Sequence, residues 1–485
     1  MNLYKIFFIA FLFSFLNMVH AERSSTGLVT WSPEDVAQLI LRKSIEKKEI
    51  DLRFHQSQQN YLKVISTYDW HALAEVGEEL DSLKSINNFL DFRYRRDRLS
   101  LGLAKSFTTG LNASLILSSV GQSVEVLPSA AIVIPPLRLY SENLSLNLEQ
   151  SLWQNSLGEA DRAQIAAAEA SWKATQVTTE IDIEGLKIKA LQTYWKAFVS
   201  CENFHESEAV KTRYLKLVEG VQRRTQYSYN NPGELALARA ELENKIQSTR
   251  TTEQECLNNQ ADLLQILGLA TTTQIIFKIQ KSPKPPQIQT EIPWDHLKSL
   301  EAQRLRTQAA VALSESFDSK NHPNLSLMFK ASSSGVDSQQ NTAFSQMTTW
   351  NSPFYYIGLK WDYYFGSDVL DKNQQIARAS REIEEEKLAR KKNEIQEQLY
   401  RTERKYQSTY EQVESILAQR GFREMAVKEL TKTYNQGRTD ISTLIDSINK
   451  FYETNVRIAQ GLSDYYIARE EYLWVRQGQG QTQYH

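Results

Sequence analysis

The chain has 485 residues, and its 56 Lys and Arg against 58 Asp and Glu give a formal charge of −2, which excludes a basic footprint for nucleic acid. A mean hydropathy of −0.48 excludes a polytopic helical membrane protein, and two cysteines exclude a disulfide-dense scaffold or a Cys-rich zinc module. With 18 Gly and 11 Pro, about half of ordinary usage, the chain is poor in helix breakers.

The first residues read as an address. An apolar run at Ile6–Leu16 is followed by Val19-His20-Ala21, with small residues at the −3 and −1 positions, which predicts a secretory signal at 1–21 cleaved after Ala21. The run is far short of the ~18–20 residues that span a bilayer, and no later segment is apolar enough to do so. Entry into a membrane would therefore require a closed β-barrel.

Residues 71–96 show no clear period and are read as a loop-rich insertion. Period-two alternation follows. Leu99, Leu101, Leu103, Phe107, Leu111, Ala113, Leu115 and Leu117 form one set, and Leu144, Leu146, Leu148 and Leu152 a second. Such spacing predicts half-buried strands within 99–152. No proline occurs between 137 and 231, so a long helix over about 156–228 is permitted; proline costs about 3 kcal/mol inside a helix. Tyr227–Gly233 (YSYNNPG) ends it with strong turn residues, and a second helix runs from Glu234 to about Leu267, closed by Gly268.

The second half repeats the plan after a Pro-rich linker at 281–294. Strands are predicted within 323–366, from Leu325, Leu327, Phe329 and Ala331 and then Tyr355, Ile357, Leu359, Trp361, Tyr363 and Phe365. A helix from about 368 to 433 breaks at Tyr434-Asn-Gln-Gly437, and another runs from Asp440 to about 475, before a polar tail at 476–485. The last helix carries a seven-residue stripe, Leu444, Phe451, Ile458, Tyr465 and Tyr472, which predicts antiparallel coiled-coil packing within each hairpin. At 1.5 Å per residue a 70-residue helix is roughly 105 Å long; periodicity alone also fits a rod. Gln164–Ala168 (QIAAA) matches Gln375–Ala379 (QIARA) at an offset of 375 − 164 = 211, a sign of duplication. The repeats are placed at 22–280 and 295–475.

The two cysteines fall in the two arms of the first hairpin. Counted from Asn230, Cys201 lies 29 residues before the turn and Cys256 26 after, a height difference of roughly 3 × 1.5 Å in an antiparallel pair. A disulfide and two unbonded small hydrophobes both fit that spacing. No HExxH metal pair, GxxxxGK phosphate loop or GxSxG elbow occurs. The charged run Arg381–Lys392 (REIEEEKLARKK) reads as a solvated face with i,i+4 pairs.

Asn143–Ala170 (NLSLNLEQSLWQNSLGEADRAQIAAAEA), Glu234–Glu241 (ELALARAE) followed by Leu264–Gly268 (LQILG), and Tyr434–Tyr452 (YNQGRTDISTLIDSINKFY) are, in this order and spacing, similar to segments of the TolC-like outer-membrane efflux protein family. The resemblance spans nearly the whole mature chain. It implies a mainly α fold with a membrane β-barrel, built from a duplicated strand–strand–helix–turn–helix protomer. Three chains of four strands would close a barrel of 4 × 3 = 12 strands on a long α-helical barrel. The implied function is that of a passive exit duct in a tripartite efflux pump or type I secretion system, with no enzymatic activity and no cofactor. The implied partners are two further copies of the chain, a periplasmic adaptor, an inner-membrane transporter and outer-membrane lipid. The implied location is the outer membrane, with an extension into the periplasm.

The resemblance also nominates residues. The periplasmic tips are expected at Tyr229–Gly233 and Tyr434–Thr439, with Gly437 giving the chain room to reverse and Asp440 opening the next helix. Tyr434 matches a latch tyrosine, Glu234 its acidic partner, and Asp446 an acidic position that lines the pore. The pattern departs twice. Thr443 stands where a second pore carboxylate is usual, and Thr439 where a latch Arg is expected, with Arg438 one residue early. Two other classes share the composition: a periplasmic helical scaffold or adaptor without a pore, and an exported enzyme with dispersed catalytic residues.

Overall fold

The computed structural model describes residues 29–81, 92–126, 137–226, 232–270, 273, 275–280, 282–288, 294–363 and 368–476. The signal segment at 1–21, the first turn before Pro232 and the tail beyond Arg476 lie outside them. In chain order the elements are β1 (Val29–Trp31), α1 (Pro33–Lys43), α2 (Ile45–Ser66), β2 (His71–Asp81), β3 (Phe92–Ser106), β4 (Leu111–Val126), β5 (Leu137–Ser151), α3 (Glu159–Gln226), α4 (Pro232–Ile266), β6 (Ile275–Phe277), α5 (Lys298–Lys320), β7 (Asn324–Asp337), α6 (Gln340–Thr348), β8 (Pro353–Asp362), α7 (Asp368–Asn435) and α8 (Ile441–Arg476). The chain divides into two compact units. One draws on Ile181–Asp295, Gln396 onward and the segment up to Ile50; the other on Asp51–Glu180 and His296–Ile395.

The second of these units holds one antiparallel sheet in the order β2-β3-β4-β5-β7-β8. This corrects three sequence expectations. Of the residues read as a loop-rich insertion, 71–81 form β2 and 92–96 the first part of β3, and 82–91 lie outside the described residues. The alternating set from Leu99 to Leu117 is two strands, because Phe107–Gly110 reverses the chain. The Phe107 N–H bonds the Leu111 carbonyl at 2.8 Å, and Gly110 takes φ +73, which glycine adopts without a Cβ penalty. The described residues thus contribute six strands to the sheet rather than four.

The sheet has two unlike faces. One row runs Ala72, Leu103, Leu115, Leu146, Ala331, Tyr355 across all six strands, and the next runs Lys105, Ala113, Leu148, Phe329, Ile357. On the other face, Ala104, Ser114, Asn147, Lys330 and Tyr356 are aligned, as are Ser118, Asn143 and Ser334. Apolar residues on the first face are exposed in the single chain, Leu103 at 49% and Ile357 at 72%. A folded chain leaves so much aligned aliphatic surface uncovered only where something other than water covers it.

The other unit is helical. The α1 helix begins with a capping box: Ser32 Oγ accepts from the Asp35 N–H, and Asp35 Oδ2 accepts from the Ser32 N–H at 2.9 Å, with Pro33 at the first helical position. Its Val36 and Ile40 are buried against Leu191, Trp195 and Leu263 of the first hairpin. Tyr194 donates from its hydroxyl to the carbonyl of Trp31 at 3.0 Å or Lys278 at 3.2 Å, at the ends of the parallel pair β1–β6. Of the α8 stripe, Leu444, Phe451, Tyr465 and Tyr472 are buried and Ile458 is half-buried.

Cys201 on α3 and Cys256 on α4 are disulfide-bonded, with Cα atoms 4.6 Å apart. Both are buried. The bond closes a sequence separation of 55, for which chain-entropy loss in the unfolded state gives about 4 kcal/mol. The Cys201→Ser, Cys256→Ser double variant is therefore expected to lower the urea midpoint of the helical unit clearly, while reductant shifts the parent and leaves the variant unmoved. An equal midpoint in both proteins would count against the bond.

Candidate functional site

The far ends of both long hairpins meet in one apolar cluster. It gathers Val210, Tyr214 and Val221 of α3, Ala238 of α4, Tyr434 of α7, and Ile441, Leu444, Ile445 and Ile448 of α8. Polar rungs tie α3 to α8 above it. Tyr214 donates to Asn449 Oδ1 at 2.9 Å, Tyr452 to Asn203 Oδ1 at 2.7 Å, and Asn455 Nδ2 to Glu206 Oε2 at 2.8 Å. Burial, with Glu241 nearby, pushes the Tyr214 phenol well above its usual range, so the rung stays protonated.

The turn between α7 and α8 is a Schellman stop. The Arg438 N–H reaches back to the Thr433 carbonyl at 3.0 Å and the Gly437 N–H to the Tyr434 carbonyl at 2.9 Å. Gly437 sits at φ +72. A Cβ there would meet nothing closer than Arg224 Nη2 at 3.7 Å, so conformation and not space demands the glycine. Asp440 caps α8. Its Oδ1 accepts from the Thr443 N–H at 2.8 Å and its Oδ2 from the Thr443 hydroxyl at 3.0 Å. These bonds, the backbone one foremost, hold the Asp440 carboxyl below its usual range. The cap is therefore complete above the ordinary Asp pKa of 3.8 and is lost as pH falls through the lowered value.

The sequence-nominated residues divide. Tyr434 is buried, 3% exposed, and Glu234 Oε2 lies 3.4 Å from its hydroxyl. That distance is long for an O–H···O bond, so the contact is weak. Thr439 donates from its hydroxyl to the Thr433 hydroxyl at 2.8 Å, within the turn. Arg438 is exposed at the tip. Asp446 is exposed on α8 and paired with Lys450 one turn on at 2.6 Å. Thr443 is occupied with Asp440.

A further residue that holds Tyr434 is not among those the sequence nominates. Arg224, near the end of α3, donates from Nη1 to the Tyr434 carbonyl at 2.9 Å and lays its guanidinium 4.7 Å from the Tyr434 ring centroid. It grips both the backbone and the ring of the residue where α7 ends, by a charge-assisted hydrogen bond and a cation–π contact. The only sequence signal was an Arg pair, Arg223-Arg224, at the end of a long helix, where a cation is favourable for the helix dipole alone.

No known protein-family profile matches the sequence, and no curated protein sequence matches it. Solved structures do match. The CmeC outer-membrane channel of Campylobacter jejuni superposes with a TM-score of 0.68 at 13% identity, over 92% of this chain and 86% of that one. The chain has the TolC-like outer-membrane channel fold. VceC, an outer-membrane protein of Vibrio cholerae, gives a TM-score of 0.66 at 11% identity over 92% and 96% of the two chains. The open state of the MtrE outer-membrane channel of Neisseria gonorrhoeae gives 0.64 at 10% identity over 92% and 89%. At these identities the likeness is one of fold, with most individual residues different.

Proposed function

We propose that the chain is the protomer of a trimeric outer-membrane exit duct that works with a periplasmic adaptor and an inner-membrane transporter. The observation that carries this reading is the sheet with one apolar and one polar face, joined to long helical hairpins. In hydrocarbon an open sheet leaves the edge N–H and C=O groups of β2 and β8 without partners, at several kcal/mol each. Closure with further copies satisfies them. With the six strands of the described residues, three copies supply 6 × 3 = 18 strands, in place of the 12 expected from the sequence. The apolar face then meets lipid and the polar face lines the lumen. Export is passive, and the hairpin tips form the periplasmic entrance. A pore-free scaffold has no use for the apolar sheet face.

Within this reading Asp446 is the acidic ring of the entrance. Three copies around a narrow axis focus negative potential, and the Lys450 pair partly offsets it. In planar bilayers, multivalent cations added on the periplasmic side are expected to block the channel. Block weakens in Asp446→Asn and strengthens in Lys450→Gln. Equal block in all three proteins rejects the ring, and the absence of any channel from the purified full-length protein rejects the duct.

A further inference from the structure

The connection between β7 and β8 lies at the end of the sheet away from the long helices, and it carries a helix that a plain hairpin loop would not need. This helix, α6, lies flat on the sheet. Ala343 and Met347 are buried beneath it. Ser333 Oγ donates to the Met347 carbonyl at 2.8 Å, and a Cβ on Gly335 would stand 1.9 Å from the Ala343 oxygen, so the helix backbone rests directly on β7. Gln346 accepts from the Val336 N–H at 3.1 Å. Strand pairing settles which face is covered. Ser333 is aligned with Leu144, Leu117 and Leu101, and Gly335 with Glu142, Ser119 and Leu99. This is the apolar face, at the rows of its last leucines. Under the helix, Glu142 is 3% exposed and accepts from Ser119 Oγ at 2.6 Å and Gln340 Nε2 at 3.2 Å.

The outer side of α6 is uncharged, with hydroxyl and amide side chains around one exposed aromatic ring. Phe344 is 48% exposed, and Trp350, just past the helix, is 42% exposed. Trp350 Nε1 donates to the Tyr355 hydroxyl at 3.0 Å, and Tyr355 belongs to the apolar row of Leu103, Leu115 and Leu146. The helix is thereby joined to the apolar belt itself. In a chain with 24% charged residues, positions 338–352 hold no Asp, Glu, Lys or Arg, only hydroxyl, amide and apolar side chains. The helix lies over β5 and β7, inside the sheet, whereas a second copy would join at the edges β2 and β8.

We propose that α6 is an interfacial anchor, seated on the lipid-facing side of the barrel in the headgroup zone of the outer leaflet, with Phe344 and Trp350 as its lipid-contacting residues. This rests on the duct reading. Amphipathic aromatic rings favour that zone because one end is apolar and the other can hydrogen-bond. The helix keeps its own backbone satisfied there, and it shields the buried Glu142 from lipid.

The test uses the full-length protein in phosphatidylcholine vesicles. Both native cysteines are bonded, so an introduced thiol is the one labelled. A nitroxide is placed in Phe344→Cys and, as a belt control, in Ile357→Cys. Collision with oxygen, which concentrates in lipid, is compared with collision with a water-soluble nickel chelate. The expected result is a strong preference for oxygen at 357 and a smaller shift in the same direction at 344. Oxygen preference at 357 with full nickel access at 344 overturns the anchor and leaves the duct standing. Nickel access at both positions overturns both.

Discussion

Gly158→Ala is expected to prevent assembly of the proposed membrane-inserted oligomer. Gly158 closes the passage from β5 into α3 at φ +79, and an added Cβ would lie 1.9 Å from the Thr108 oxygen and 2.6 Å from its carbonyl carbon. The obstacle is backbone, which cannot rotate aside. The junction is already strained: Asn155 and Leu157 both adopt positive φ, at 57° and 48°. Such a conformation costs roughly 1–2 kcal/mol per non-glycine residue. Asn155 recovers part of this by accepting from the Asp161 N–H at 3.1 Å, and the Leu157 carbonyl accepts from Arg162 Nη1, but the Leu157 side chain itself faces solvent. A third left-handed non-glycine residue together with a backbone clash belongs among the rare substitutions that cost about 4 kcal/mol or more. Gly77→Ala is the control, since a Cβ there meets nothing within 4 Å. The readout is the fraction of detergent-extracted chain that stays oligomeric on heating. Gly158→Ala assembling like the parent would show that the junction has room the geometry denies it.

The long hairpins were legible because their signal is cumulative. A proline-free stretch, a heptad stripe and a Gly- or Asn-rich turn all agree, and the observed spans Glu159–Gln226 and Asp368–Asn435 fall close to those read from sequence. The strand β2 was not legible. Its sequence HALAEVGEELD combines Ala, Glu and Gly, which have weak strand preference, and every residue from His71 to Leu80 is exposed, so no buried face stamps an alternation on it. Its place follows from pairing with β3, which is tertiary information. The α1 capping box, Ser32 to Asp35, was a readable start signal in a short helix that the eye passes over between longer ones. The α6 helix is nine residues of neutral polar and apolar side chains, too short for its period to stand out. At the tip, Gly437 and Tyr434 are written in one local motif. Arg224 is 210 residues from the carbonyl it holds, and only the packing of α3 against α7 brings them together.

The same distance makes Arg224 the more informative handle on the proposed entrance. If the second hairpin must swing away from the first for export, the contacts that cross between them set the closed population. Tyr434–Glu234 crosses at 3.4 Å, whereas Arg224 crosses with a 2.9 Å charge-assisted bond and a ring contact. In a half-buried setting these together contribute about 1–2 kcal/mol, which is roughly a tenfold change in the open population. Arg224→Ala is therefore expected to raise mean conductance in planar bilayers several-fold, up to about tenfold. Glu234→Gln is expected to raise it little, because a glutamine still reaches the Tyr434 hydroxyl and the contact was long to begin with. Arg224→Lys should fall between them, keeping the charge but losing the planar group that serves carbonyl and ring at once. Gly437 stays unchanged in all three variants, so the turn itself is not at issue. The opposite order, with Glu234→Gln opening the channel and Arg224→Ala silent, would return the latch to the residue pair that the sequence resemblance nominated and leave Arg224 as a helix-end cation that happens to lie beside Tyr434.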